Sequence, residues 1–587
     1  MLAVPFSRTI LPSLPAEAQL QLAATPGVWL RGKGGQTELR CTADLAPIVG
    51  GMVSTPLLSS VPVERTVAVS RLSPKLLDWQ RDGALALARD ESRLLWWSAG
   101  IGKTAAYLAA ADLIDAKRVL FVTRALGRNV FARDSVFLPE PRKIAVLVGE
   151  AQEARAVTTA QRYAVRRADK SLTRLQASCF AVATVGEAFE RGAWALVVGW
   201  EILSTHEAAL IRAGFDLVVF DEHHCGKTWN SRRTVSAHRI AKAVKTVWGG
   251  TATPVPDRVR DLWGQLYAVG GHAAWGTSLQ FSCRYAHATP GRWGGWETDG
   301  PHRAGCSYCH ESSAELRRRL AWWADVRNRA AIAHLLPSVT RAMVHVPCGN
   351  TPSDTARLGN GVEDAIARAA AAKLRPVAER AAEALIAGEK IVVVGNRRAW
   401  VPRMASAIER ALPTGLRRDH RVWLRATSGE DDVTRRLQLA SDFMALRVGA
   451  SEPYRAAALI ATGESIKTSI DLHDADRVLI AALPWTPEGV DQLEGRFRRV
   501  GGPRPSLKLQ IDYFIAEGTI DEAIEATLLS KLECLGRAGA EVETEARQWL
   551  EGSQPSEAEI LTGLHRWLEA QAIEEGHEAQ TAGQVAL

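Results

Sequence analysis

The sequence predicts an α/β fold built from two tandem doubly wound parallel sheets, with an insert between the lobes and a helical C-terminal tail. Two arrays of short apolar runs, each run separated from the next by a helical stretch, predict the sheets. A glycine loop at the end of the first run, and a pair of acids at the end of a later one, predict where the first sheet binds its ligand. Apolar runs without alternation suit strands buried on both faces, the condition of a parallel sheet covered by helices.

Residues 1–65 are rich in Pro, Gly and Ser and allow either a small β module or a loose arm. The first lobe is expected over 66–268, with strands at Arg93–Ser98, Val119–Thr123, Ala195–Val198, Phe215–Phe220 and Thr246–Gly250. The pattern breaks over 269–345, which is rich in Gly, Trp, Arg and His and reads as the insert. The second lobe is expected over 346–535, with strands at Lys390–Val394, Val422–Ala426, Ala456–Ala461, Arg477–Ala481 and Leu507–Phe514. Residues 536–587 read as an acidic helical tail, and no internal repeat is present.

Composition narrows the class. Hydrophobic residues make up 47% and charged residues 23% of 587, ordinary for a globular protein. Eight scattered cysteines do not make a disulfide scaffold and suggest a reducing compartment. No apolar run has the length of a membrane span, and Met1–Ile10 lacks the basic and apolar regions of a secretion signal. The expectation is a cytoplasmic enzyme with no membrane partner, of a compact size compatible with a bacterium or a virus-infected cell. The net charge is +7, and ten Glu against two Arg in Glu541–Leu587 leave the rest of the chain near +15. A basic body with an acidic tail is common in nucleic-acid enzymes, although a solvated helix gives the same tail.

Gly100-Ile101-Gly102-Lys103-Thr104 has the make-up of a phosphate loop. Gly100 and Gly102 let backbone N–H groups turn toward phosphates, Lys103 reaches the β- and γ-phosphates, and the Thr104 hydroxyl suits Mg²⁺. The first glycine of the usual pattern is absent, and Trp97 occupies its place. Asp221 and Glu222 end an apolar run. There Asp221 suits Mg²⁺, and Glu222 suits orienting and deprotonating an attacking water. Arg496 and Arg499 lie three apart, on one helical face, where guanidinium groups can neutralise phosphate charge.

In this order the residues resemble those of superfamily two helicases, and among them the Swi/Snf-type DNA translocases. The resemblance runs from about residue 72 to 530. Leu72–Gly83, with Gln80, looks like the adenine-reading glutamine motif, and Val119–Asp134, with Thr123, like the first DNA-backbone motif. Val197–Leu203 is similar to the family's "TYE" segment. Asp221-Glu222-His223-His224, followed by Lys227, resembles the DEAH box, with His223 in place of the usual Ala. Gly250-Thr251-Ala252-Thr253-Pro254 looks like the motif that couples hydrolysis to lobe movement. Ile391–Asn396 is similar to the strand that opens lobe two, and Thr462–Leu472 with Ala475–Val478 resembles a divergent fifth motif without its double glycine. Trp485, Pro487, Gln492, Arg496, Arg499 and Gly501 match the next segments, and Gly518–Glu522 the close of lobe two. Within the insert, Phe281, Arg284, Tyr285, Glu315 and Leu335–Arg341 resemble the annealing-helicase-type members, which remodel forked or branched DNA.

The resemblance implies two RecA-like lobes that sandwich ATP and Mg²⁺. Lobe one supplies Gln80, Gly100, Gly102, Lys103, Thr104, Asp221 and Glu222, with Mg²⁺ held through Thr104 and Asp221. Lobe two supplies Gln492, Arg496 and Arg499. His224, Thr251 and Thr253 are the expected coupling residues, and Thr123, Arg124, Lys227 and Lys467 the expected backbone contacts. The partner is duplex, forked or branched DNA, bound without sequence preference and in a salt-sensitive manner. The implied function is a DNA-dependent ATPase that moves on such DNA and remodels or anneals it. Two other readings stand beside it: a strand-separating DNA or RNA helicase, and a fork-binding module with a degenerate ATPase.

Two weaker signals remain. Cys306 and Cys309 have zinc-ligand spacing, with Cys283, His287, His302 or His310 to complete a set of four, although a CxxC of ordinary thiols is the plainer reading. Nineteen tryptophans are many. Trp96-Trp97 and Trp322-Trp323 are expected in cores, whereas Trp293 and Trp296, in a Gly- and Arg-rich stretch, could stack on bases.

Overall fold

The computed structural model describes residues 67–148, 179–286, 335–348 and 361–525 with short breaks, the strands at 6–12, 28–33 and 36–42, and short segments between 288 and 327. Two compact units part between Ala331 and Ile332. At the N-terminus β1 (Phe6–Pro12), β2 (Val28–Lys33) and β3 (Gln36–Thr42) form an antiparallel sheet in the order β1-β3-β2.

Lobe one runs α1 (Asp78–Arg89), β4 (Ser92–Trp97), α2 (Lys103–Leu113), β5 (Val119–Thr123), α3 (Arg128–Asp134), β6 (Ile144–Leu147) and β7 (Cys179–Val182). It continues through α4 (Val185–Glu190), β8 (Ala195–Gly199), α5 (Leu203–Arg212), β9 (Leu217–Asp221), α6 (Arg232–Ala243), β10 (Thr246–Gly250), α7 (Asp261–Ala268) and α8 (Ser278–Tyr285). A two-residue ribbon, β11 (Thr289–Pro290) with β12 (Trp296–Glu297), precedes β13 (Ala324–Arg327). The main sheet is parallel throughout, in the order β13-β4-β10-β9-β5-β8-β6-β7. Strands β5, β8, β9 and β10 are buried at every position, as their unbroken apolar runs require. Because every strand points the same way, the loops after β4, β5, β9 and β10 share one edge of the sheet, where doubly wound folds bind ligands.

The second unit holds β14 (Ser338–Val346), α9 (Gly361–Ala372), α10 (Leu374–Ile386), β15 (Lys390–Gly395), α11 (Trp400–Ala411) and β16 (Val422–Thr427). Then come α12 (Val433–Ala445), β17 (Ala456–Thr462), β18 (Arg477–Ile480), α13 (Pro487–Glu494) and β19 (Lys508–Ala516). Its sheet is also fully parallel, in the order β14-β19-β18-β15-β17-β16. Apolar clusters lie on both faces of it, one around Phe443, Leu493 and Tyr513, the other around Trp400, Met404 and Phe514. The two tandem parallel α/β lobes match the predicted RecA-like fold class.

The stretch 269–345 is divided between the lobes. Trp275, Phe281, Tyr285, Leu316, Leu320 and Trp323 pack into the core of lobe one. β13 adds an edge strand beside β4, while β14 pairs with β19 in the other sheet. Residues that the sequence marked separately meet here. Tyr285 Oη donates to Glu315 Oε1 at 2.5 Å, and Arg284 pairs with the other oxygen of the same carboxylate. Arg319, fully buried, donates to Tyr285 Oη at 2.9 Å and lies over the Trp275 ring. The acidic tail lies outside the described residues.

Candidate active site of lobe one

The loop from β4 to α2 is shaped by glycine. Gly100 and Gly102 adopt φ of 85° and 98°, the left-handed region that other residues enter at a cost. Gly102 also abuts Gln80: a Cβ there would lie 2.0 Å from Gln80 Nε2. Gln80 is buried and committed at both ends of its amide, accepting from Leu77 N at 3.1 Å and donating to the Ile101 carbonyl at 3.4 Å. Trp79 Nε1 donates to the same carbonyl at 3.0 Å. Thus the predicted adenine-motif residues brace the phosphate loop from α1.

Trp97, at the place of the missing glycine, has a packed and bonded setting. It is fully buried, and a Cβ on Gly83 would lie 2.2 Å from its ring. Its Nε1 donates to Asp325 Oδ2 at 2.8 Å, and Arg327 Cζ stands 5.1 Å from the ring centroid. Arg327 in turn donates to Asp325 at 2.8 Å and to the Trp79 carbonyl at 3.1 Å. The Trp97 carbonyl accepts from Lys103 Nζ at 2.8 Å. Lys103 and Thr104 are both buried at the start of α2.

Asp221 ends β9, and its Oδ2 accepts from Thr123 Oγ1 at 2.9 Å. Burial, and then the neighbouring Glu222, push the Asp221 carboxyl up to about 7, against the pull of Lys103 and Thr123. Glu222 follows in the left-handed region at φ 53°, one of two described non-glycine residues with positive φ. Such strain collects at functional sites. Burial opposes ionisation of Glu222, but the His224 hydrogen bond and the charges of Lys103 and Arg124 outweigh it and hold this carboxyl well below the usual range. One acid is therefore held ionised while its neighbour is driven toward its neutral form, a pairing that a bound divalent cation would resolve.

His224 links this pair to β10 and β5. Its Nε2 faces Arg124 NH2 at 2.9 Å, and its Nδ1 lies 2.8 Å from Thr251 Oγ1 and 3.2 Å from Glu222 Oε2. A guanidinium only donates, so Nε2 accepts and Nδ1 carries the proton. Tyr107 on α2 is fully buried beneath the acids, its hydroxyl without a hydrogen bond. Burial first, then Asp221 and Glu222, push its ionisation well above the ordinary phenol range. Gly250 is required there, since a Cβ would lie 1.6 Å from Tyr107 Oη. His223, the departure from the family box, is buried, and burial drives it down to about 4, so its ring is neutral.

The structure thus gathers Gln80, Gly100, Gly102, Lys103, Thr104, Thr123, Arg124, Asp221, Glu222, His224 and Thr251 at one edge of the lobe-one sheet. Thr123 and Arg124, expected at the DNA backbone, are engaged with Asp221 and His224. Lys227 follows the short turn His223–Gly226 and is half-buried. In the second unit Gln492 lies buried on α13 and Arg496 just beyond it, where the Arg496 carbonyl accepts from Leu472 N at 2.9 Å. Thr253, Lys467, Arg499, Cys306, Cys309 and His310 lie outside the described residues, as do His287, His302, Trp293 and Trp322. Among the described residues no cluster of three or more His, Cys, Asp or Glu side chains is placed to hold a metal, and no helix is long and apolar enough to cross a membrane. Sequence reasoning missed Tyr107, Asp325 and Arg327. Only the bulk of Trp97, which demands a small neighbour and an acceptor, hinted at them.

Fold and site together give two parallel α/β lobes, the first carrying a glycine loop and an acid pair at one edge of its sheet. No family model matches the chain. It is similar to the SWI/SNF-related matrix-associated actin-dependent regulator of chromatin subfamily A-like protein 1 of Xenopus tropicalis, 24% identical over 491 residues, covering 80% of this chain and 45% of that protein. The protein of the same name from Drosophila melanogaster is 23% identical over 497 residues, covering 81% and 58%. The chain spans about half the length of these relatives. Among solved structures it aligns with the Sulfolobus solfataricus SWI2/SNF2 ATPase core in complex with dsDNA at 15% identity, over 83% of this chain and 98% of that one, TM-score 0.36. It also aligns with the ATP-dependent Type ISP restriction-modification enzyme LlaBIII bound to DNA, at 11% identity over 82% and 30%, TM-score 0.44. The similarity to these SWI/SNF-related proteins extends over about four-fifths of this chain.

Proposed function

We propose that the chain is a DNA-dependent ATPase that couples hydrolysis to movement on duplex or forked DNA, remodelling or annealing it in the cytoplasm. The observation that carries this reading is the polar cluster around His224, whose ring is hydrogen-bonded to Arg124 and Thr251 and faces Glu222 at 3.2 Å, beside the Thr123–Asp221 bond. A site built only to cleave a nucleotide has no need of it, whereas a motor must pass the state of its acids to the rest of the lobe.

The residues present fit ATP and Mg²⁺. Lys103 is a buried amine bonded to the loop's own Trp97 carbonyl, and Asp221 is a carboxyl driven up by burial and a like charge. Thr104 and Asp221 would hold Mg²⁺, which supplies neutralisation of phosphate charge. Lys103 binds the β- and γ-phosphates. Ionised Glu222 accepts a hydrogen bond from the attacking water and aligns it. Arg496 and Arg499 are the guanidinium groups offered to the developing charge, by resemblance. Of the other activities, unwinding of a plain duplex would favour strand separation.

The test compares ATP hydrolysis without nucleic acid and with single strand, duplex, fork and RNA. Stimulation by duplex-containing DNA is expected, lost in Lys103→Ala and in Glu222→Gln. Absence of hydrolysis with every nucleic acid would sink the proposal.

A further inference from the structure

The turn that leaves Glu222 leads to an exposed aromatic. Trp229 is 48% exposed and is the one aromatic among the exposed large hydrophobic side chains of the described residues. It is nevertheless held in place. Its ring meets Trp263 edge to face at 6.0 Å and Tyr267 at 6.3 Å, both on α7. Tyr267 is itself stacked on His238 at 4.0 Å.

The backbone beneath is locked to the same helix. A Cβ on Gly264 would lie 2.1 Å from the Lys227 carbonyl oxygen, and one on Gly226 would lie 2.7 Å from Ala268 Cβ. The chain from Glu222 to Trp229 therefore cannot swing without opening its seam with α7. A rigid, half-exposed indole forgoes burial that its size would reward, which points to a surface completed by a ligand.

Charge indicates which ligand. From His223 to Pro256 there are six Lys or Arg and no Asp or Glu. Glu207 of α5 pairs with Arg239 at 3.1 Å. Arg232 and Arg233, both exposed, have no acidic partner among the described residues. They occupy the first turn of α6, capped by Ser231, where the helix dipole disfavours cations. Helix stability does not explain them.

We propose that Trp229, Lys227, Arg232 and Arg233 form a docking surface on lobe one for duplex DNA. The guanidinium groups take backbone phosphates and the indole packs against sugar and base edges. The surface rests on the DNA-dependent reading above and adds to it a route: the loop that carries Trp229 starts at Glu222, so DNA seated on it bears on the water-aligning carboxylate.

The experiment titrates the full chain into fluorescein-labelled duplex at several salt concentrations, following anisotropy, for Arg232→Glu/Arg233→Glu, Trp229→Ala and Trp229→Phe. The double charge reversal is expected to raise Kd at least about tenfold and to reduce the salt slope by about 2, since each phosphate contact contributes about 0.9. Trp229→Ala should raise Kd about tenfold, within the range of a lost stacking contact, and Trp229→Phe should recover part of it. Thermal unfolding reports whether Trp229→Ala keeps its fold, and the charge reversal, made on exposed residues, decides the matter if it does not. Wild-type affinity and salt slope in the charge-reversed variant would overturn the surface and turn attention to an acidic protein partner. Failure of the unmodified chain to bind or respond to any DNA would instead remove the parent reading, and this one with it.

Discussion

Lys103 Nζ donates to the Trp97 carbonyl at 2.8 Å, so the amine proposed to bind phosphate rests on the residue at the place of the motif's first glycine. That carbonyl is only as well placed as the Trp97 ring, which Gly83 admits and Asp325 holds. In Asp325→Ala the buried indole N–H loses its acceptor, a cost of about 1–3 kcal/mol. We expect a lower unfolding midpoint and a KM for ATP raised about tenfold, equivalent to ~1.4 kcal/mol. The kcat should change little. Steady-state hydrolysis and thermal unfolding check both, and unchanged values would show that packing alone fixes Trp97.

Gly102→Ala should be more damaging than its size suggests. The φ of 98° strains any Cβ, and the new methyl would displace Gln80, which braces Ile101. Nucleotide affinity is expected to fall by at least about tenfold, with Gln80→Ala restoring room but not the backbone strain. Titration with a fluorescent ATP analogue measures it.

Asp221 predicts a pH-dependent penalty. Its folded-state value near 7 exceeds an unfolded value of about 3.9, so the native state binds the proton more tightly. The stability this proton provides is present in acid and is lost as pH rises toward 7, on the order of a few kcal/mol. Glu222 shifts the other way: its contribution is intact above its unfolded value and is lost only in stronger acid. Between pH 5 and 8 His223, driven down to about 4, also contributes, losing stability as pH falls below its unfolded value, so the difference between the parent and an Asp221 variant is what isolates Asp221. Without Mg²⁺, Asp221→Asn should melt higher than the parent at pH 8, the gap narrowing toward pH 5, while with Mg²⁺ present the variant's hydrolysis should be abolished. A pH-independent gap would refute the assignment.

Thr251 accepts the proton that His224 carries on Nδ1. Thr251→Val keeps the shape and removes the acceptor, leaving Glu222 as the nearest alternative at 3.2 Å. DNA-stimulated hydrolysis should fall about tenfold, a loss of ~1.4 kcal/mol of coupling, and Thr251→Ser should restore most of it. Equal stimulation in Val and Ser variants would remove Thr251 from the coupling path.

Local pattern made the buried strands readable: β5, β9, β10, β15 and β17 are largely apolar runs, the acid pair sits where β9 ends, and the glycine loop follows β4. Ile144–Leu147 and Cys179–Val182 went unread despite similar runs. Edge strands were hidden for a physical reason. β13 (Ala-Asp-Val-Arg) is partly open to solvent, so its sequence has no need to be apolar, and its Asp325 and Arg327 serve Trp97, more than 200 residues away. Trp229 was equally silent, because its neighbours Trp263 and Tyr267 come from a helix the sequence gives no reason to place beside it.

The last prediction concerns how lobe two holds its arginine segment. Glu494 ends α13, two residues before Arg496, and is buried with Arg341 of β14 in a two-pronged pair at 2.9 and 2.6 Å. Tyr513 Oη of β19 donates to the same carboxylate at 2.5 Å. Arg498 Nε adds a bond to the Pro337 carbonyl at 3.3 Å, tying the chain past Arg496 to the start of β14. Removing one charge leaves the other buried alone, which costs about 3–5 kcal/mol, whereas replacing both with apolar groups can cost far less. Arg341→Met and Glu494→Leu should each destabilise strongly, and the double variant should recover much of the loss, giving a coupling of at least about 2 kcal/mol in a double-mutant cycle. Because Glu494 positions the segment that carries Arg496, the refolded double variant should still show reduced kcat with KM for ATP nearly unchanged. Full kcat in that variant would mean that the arginine segment is held by its apolar contacts, Leu493 and Phe497, and not by the ion pair.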